Sequence, residues 1–164
     1  MIALCWVSVL LAEPPVRLGE AAVHQIVQAQ SFELEQSYRY DWSAEHPSVQ
    51  RGLLLELEVD PAWLRASDMH QAVLYADGVP VERIGTGWPS GHLWVVVPGA
   101  TDTSSLTLYF RGEDLPEAIS AAEGQQALSE ARRAGAQPLP VPPHGPPRRL
   151  RDQAALYALA AGAR

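Results

Sequence analysis

Between Phe32 and Phe110, apolar residues recur at every second position in several runs, and this period restricts the fold more than any other feature. Successive side chains of an extended strand point to opposite faces, so a two-residue apolar period marks strands with one buried face. Phe32, Leu34, Tyr38, Tyr40 and Trp42 share one parity, with Glu33, Glu35, Arg39 and Asp41 on the other. Leu53, Leu55, Leu57 and Val59 repeat the logic, and Asp60-Pro61 ends that run before a brief helical turn through Trp63 and Leu64. Residues 73–76 and 79–84 flank Asp77-Gly78, a strong two-residue hairpin signal because glycine accepts positive φ without a Cβ clash. Pro80 has no N–H for a ladder, which sends its strand to an edge or a bulge. Residues 93–97 and 106–110 complete the set, with Gly85, Gly87, Pro89 and Gly91 in the loop before them. About six strands with turn signals between them and no alternating helices predict a mainly β chain. We expect an antiparallel β-sandwich, jelly-roll or Ig-like, over residues 31–115.

The flanks follow other rules. Residues 1–12 read MIALCWVSVLLA and are followed at once by Glu-Pro-Pro. Such a run is shorter than the roughly 20 residues a membrane-crossing helix needs, and it suits the apolar region of a signal peptide cleaved near Ala12. That reading places the protein outside the cytoplasm, in the periplasm or on the cell surface. Within residues 13–30, Leu18, Ala22, Val23, Ile26 and Val27 have helical spacing, so a short helix is expected there. Residues 116–135 are rich in Ala, Gln and Glu and predict a second helix, interrupted or ended at Gly124 and closed at Gly135. Six prolines fall between Gln137 and Pro147, which makes 136–149 read as a polyproline-type linker. Residues 150–164 then form a terminal Ala/Leu helix with no evident core of its own.

Charge excludes some partners. The net charge is −7, and residues 31–117 hold 14 acids against 5 arginines, whereas 118–164 hold 3 acids against 6 arginines. An acidic body repels phosphate backbones, so no nucleic-acid partner is expected. All twelve basic residues are arginine, and neither Lys nor Asn occurs, a bias typical of GC-rich bacterial coding sequence. The single Cys5 allows neither an internal disulfide nor a zinc site built on several thiolates.

Residues 53–112 resemble a small β-sandwich domain of unknown function found in exported bacterial and archaeal proteins. The likeness rests on LLLELEVD leading through a short turn to VLYADGVPVERI, then a Trp/Gly loop, Leu93-Trp94-Val95-Val96-Val97-Pro98, and SLTLYFRG at 105–112. The chain departs from that pattern at Ala76-Asp77-Gly78, where the family has an Asp-Ser/Gly-Asp turn, and at Val96, where it has Lys. The resemblance implies an accessory module, often set beside concanavalin-like lectin domains or fused to proton-channel subunits of the ExbB type. A non-catalytic envelope module binding a glycan or protein, or spacing other domains, is the expectation. The alternative is an accessory periplasmic part of an ExbB/MotA-type channel assembly.

No catalytic motif, cofactor or metal site is expected. Glu56 and Glu58 share a strand face about 6.5–7 Å apart, a separation compatible with inverting glycoside hydrolysis, but the alternation turns both toward solvent, as it does Glu33 and Glu35. His24, His46, His70, His92 and His144 show no metal-binding spacing, and Ser90-Gly91-His92 lacks a nucleophile elbow. Asp60, Asp68, Asp77 and Asp102 offer loop oxygens without a calcium-type run. Trp94 belongs to a hydrophobic strand and is assigned to the core. Trp88, in a Gly/Pro loop, and Tyr40 and Trp42, at a strand end, are the weak candidates for ligand or partner contact, because exposed rings stack on sugars or anchor proteins. Trp88 folded back as a cap over the sandwich is the competing reading.

Overall fold

The computed structural model describes residues 23–39, 48–61, 72–87, 91–112 and 120–162. Among these described residues, nine strands form two sheets. In chain order they are β1 (Val23–Arg39), β2 (Ser48–Val59), β3 (Ala72–Ala76), β4 (Val79–Pro80), β5 (Glu82–Gly87), β6 (His92–Pro98), β7 (Ser105–Gly112), β8 (Pro138–Pro140) and β9 (Arg148–Leu150). Helix α1 (Ala121–Arg133) follows β7, and α2 (Gln153–Gly162) follows β9. One sheet has the order β5-β6-β2-β1-β9 and the other β4-β3-β7-β8. The chain is mainly β, as expected, and its two facing sheets are consistent with a sandwich. Every pairing within residues 31–115 is antiparallel, in line with the expected sandwich, and β9, from beyond that range, adds a parallel pairing to β1.

Three apolar layers hold these elements together. The central one lies between the sheets and contains Leu53, Leu55, Leu57 and Val59, all fully buried, with Leu93, Val95 and Val97 from β6 and Leu74, Leu106, Leu108 and Phe110 from the opposite sheet. The second lies on the outer face of the five-stranded sheet, where Phe32, Leu34, Leu54, Trp94 and Val96 pack against Leu156 and Ala160 of α2. The third lies on the outer face of the four-stranded sheet, where Val73 and the stacked rings of Tyr75 and Tyr109 meet Ala127, Leu128 and Ala131 of α1. Each sheet is thus covered by a helix on its outer side.

The expected helix over 13–30 is not formed in its described part, because residues 23–30 belong to β1. The register explains the misleading spacing. Val23, Ile26, Ala29 and Ser31 face Val59, Leu57, Leu55 and Leu53, with irregularities between Val23 and Gln25 and between Ile26 and Gln28. His24 and Val27 are thereby inserted as bulge residues, which stretches the inward period from two to three and imitates a helix. The bulges also change parity, so that Ile26 points between the sheets while Phe32 points outward to α2.

The Asp-Gly hairpin forms as expected, with both turn residues at positive φ, 49° at Asp77 and 84° at Gly78. Its second strand is split, however. Val79 and Pro80 pair with β3, Val81 turns into the central core, and Glu82 onward pairs with β6 in the other sheet. Pro80, lacking a donor, sits on the edge strand where the chain crosses over.

The tail differs most from expectation. Helix α1 continues through Gly124 because the hairpin turn lies against it: a Cβ at 124 would sit 2.1 Å from the Gly78 carbonyl oxygen. The helix opens on a capping box, with Ser120 Oγ accepting from the Glu123 N–H and the Glu123 carboxylate accepting from the Ser120 N–H. The proline-rich stretch 136–149 is not a free linker. Its residues 138–140 extend one sheet beside β7, and 148–150 extend the other beside β1. Between them His144 is held with Nε2 2.8 Å from the Thr101 carbonyl oxygen and Nδ1 3.2 Å from that of Pro142, and Ser31 Oγ donates to the Gly145 carbonyl. The terminal helix has a core after all, since Leu156 is completely buried on the sheet.

Candidate functional site

Two groups of polar side chains stand on the outer face of the five-stranded sheet. The first arises because β2 carries Glu56 and Glu58 on the face that also presents Leu54. Across the ladder, β6 sets Trp94 beside Glu56 and His92 beside Glu58. His92 Nδ1 forms a short contact with Glu56 Oε1, the imidazole about one-third exposed and the carboxyl mostly covered. Gln25 on β1 donates its amide to Glu58 Oε2 at 2.5 Å. The glutamates are therefore directed outward, as the alternation implies, but each is engaged by a neighbouring side chain rather than by water alone. The strip so formed offers carboxylate, amide and imidazole groups within one short stretch of sheet surface.

The second group was not visible in the sequence. Glu82, at the start of β5, accepts from Tyr38 of β1 at 2.5 Å through one oxygen. Its other oxygen accepts from Tyr157 and, at 3.3 Å, from Gln153, both on α2. Gln153 also donates to the Tyr157 hydroxyl at 2.7 Å. Burial pushes the Tyr157 phenol well above its ordinary range, and the hydrogen bond to the Glu82 carboxylate and its negative charge push the same way. The phenol is thus kept protonated as a donor, and the carboxylate oxygens are occupied by three donors. This arrangement fastens α2 and the end of β1 to β5; it leaves no activated base or nucleophile. Tyr38 showed only its parity, and nothing in the sequence linked it to residues so distant along the chain.

Of the residues singled out for ligand contact, Trp88, Tyr40 and Trp42 lie outside the described residues, as do residues 1–12, His46, Asp68 and His70. Trp88 falls within the short connection between Gly87 and Gly91, and Gly87 pairs directly with His92. Trp94 is 4% exposed and belongs to the layer beneath α2, as assigned. Asp77 is not a free loop oxygen: its Oδ1 accepts from the Thr107 N–H at 2.8 Å, locking the hairpin turn to β7. Among the described residues, no three His, Cys, Asp or Glu side chains converge as a metal site, and no helix is long and apolar enough to cross a membrane. Comparisons with protein-family models, with curated proteins and with solved structures gave no match to this chain.

Proposed function

We propose that this chain is an exported, non-catalytic binding module of the bacterial cell envelope, and that it engages a glycan or an envelope protein through the polar strip on its five-stranded sheet. The observation that carries the reading is the strip itself, Gln25, Glu56, Glu58 and His92, with Trp88 in the adjoining connection. A few convergent polar groups suit a ligand that carries hydroxyls on the side it presents to the sheet. Hydrolysis is disfavoured by the same contacts, because both glutamates are held by neighbouring side chains. The apolar run at residues 1–12 supports the export half of the reading.

A glycan array probed with the intact protein, followed by titration of any hit, tests this. Glu58→Gln combined with His92→Gln is expected to weaken binding by about tenfold or more, the loss of one or two hydrogen bonds to charged groups. Trp88→Ala should weaken it similarly while shifting Tm by less than about 4 °C. Undiminished binding per folded molecule in both variants, with Tm lowered by about 10 °C in Trp88→Ala, would return Trp88 to the core and overturn the assignment.

A further inference from the structure

Helix α2 reads QAALYALAAG and carries no charged residue from Gln153 to Gly162. Only Leu156 and Ala160 are fully buried; Ala154, Ala158, Ala161 and Gly162 are exposed and Leu159 is half-buried. Apart from Gln153 and Tyr157, which reach Glu82, the surface of α2 is aliphatic, and such a surface is normally enclosed, yet Ala154, Ala158 and Ala161 stay exposed. This uncovered flank and β9 together form an open groove of about 490 Å³, lined by Arg148, Leu150, Ala155, Ala158, Leu159 and Gly162. Among the described residues of that lining, Arg148 carries the one charged side chain. Its position follows from the register: Arg148 and Leu150 pair with Phe32 and Leu34, whose side chains face α2. Among the described residues, no acidic group is paired with Arg148.

We infer that this groove binds a single-chain amphiphile with an anionic head, the acyl chain lying along α2 and the carboxylate on the Arg148 guanidinium. The described residues of the lining supply aliphatic surface and one cation, with no other polar side chain among them to recognise a peptide backbone or a sugar, so the chemistry they select is one long apolar body with one negative end. A guanidinium is suited to this because it binds a carboxylate through two parallel hydrogen bonds. From Ala155 to Gly162 the helix advances about 10 Å, enough for a medium-length chain with its tail emerging past the helix end. This site is separate from the polar strip, and either could fail without the other.

Calorimetric titration of the intact protein with dodecanoate, kept below its micelle concentration, tests the inference. Saturable one-to-one binding is expected. Arg148→Gln should weaken dodecanoate about tenfold and leave neutral dodecanol unaffected, whereas Ala158→Phe, which fills the groove from an exposed position, should abolish both without lowering Tm. Heat appearing only above the micelle concentration, or Ala158→Phe binding as well as the unaltered protein, would overturn the proposal. So would adsorption to phosphatidylglycerol vesicles with no uptake of free dodecanoate, which would make the face a bilayer contact instead.

Discussion

At the scale of single residues, Gly124 carries the clearest constraint. Alanine is intrinsically preferred over glycine inside a helix by about 1 kcal/mol, so Gly124→Ala would stabilise α1 if the helix stood alone. Here the added methyl meets backbone, 2.1 Å from the Gly78 oxygen, while Gly78 itself sits at φ +84° and would strike the Gly124 carbonyl if it carried a side chain. Neither partner can yield by rotating a side chain, so the hairpin turn must lift off the helix. We expect Gly124→Ala to lower stability by about 1–3 kcal/mol, as overpacking does. Gly162→Ala, in open space at the end of α2, should change it by less than about 0.5 kcal/mol. Paired thermal melts decide the matter, and equal Tm values for the two variants would contradict it. The sequence marked Gly124 as special but for the wrong reason: a helix breaker and a close-approach glycine look alike until the packed neighbour is known.

At the scale of elements, legibility depended on whether local pattern or distant contact set the structure. The strand alternation from Leu53 to Val59 and the Asp77-Gly78 turn were readable because a two-residue period and a positive-φ turn are local properties. Strand β1 was misread where two bulges changed that period, and the crossing at Val81 was missed because a short strand says nothing about which sheet it joins. Leu54 and Val96 occupied outward positions and gave no sign that a remote helix would cover them. The polar strip was half legible: the outward direction of Glu56 and Glu58 follows from alternation, but their partners Gln25 and His92 lie on other strands. The clasp on Glu82 joins three elements and lends itself to a pH test. Tyr157 has a raised pKa in the folded protein, so its contribution to stability is fully present below the ordinary phenol value of about 10 and is lost as pH rises beyond it. Stability of the unaltered protein should therefore fall more steeply above pH 10 than that of Tyr157→Phe, while near pH 7 the variant should be weaker by about 1 kcal/mol for the lost hydrogen bond. Denaturant unfolding at a series of pH values would show parallel curves if the clasp has no such role.

At the scale of the whole molecule, residues 137–162 act as a strap and not as an appendage. They complete the edge of each sheet and bring Leu156 onto Phe32, Leu34, Leu54, Trp94 and Val96. A chain ended after Ala136 should lose its cooperative melt, or have it lowered by well over 10 °C, and bind a hydrophobic dye, because removing Leu156 alone would cost about 2–5 kcal/mol. A truncated protein that melts within a few degrees of the full chain would restore the linker reading. Limited proteolysis offers a parallel check, since residues 138–150 should resist cleavage for as long as both edge pairings hold.

The strap also bears on how the fold is reached in time. Strand β1 is an inner strand of its sheet, yet its neighbour on one side is β9 and the cover of its outer face is α2. During synthesis the first strand must therefore wait, with Phe32 and Leu34 open to water, until residues 148–160 have emerged. Contacts between such distant parts of a chain form slowly, because a long loop must close before they give any return. The nascent sandwich passes through a stage in which one sheet is built but unroofed, with an unpaired edge beside a greasy face. That stage, more than the finished molecule, is where aggregation competes with folding.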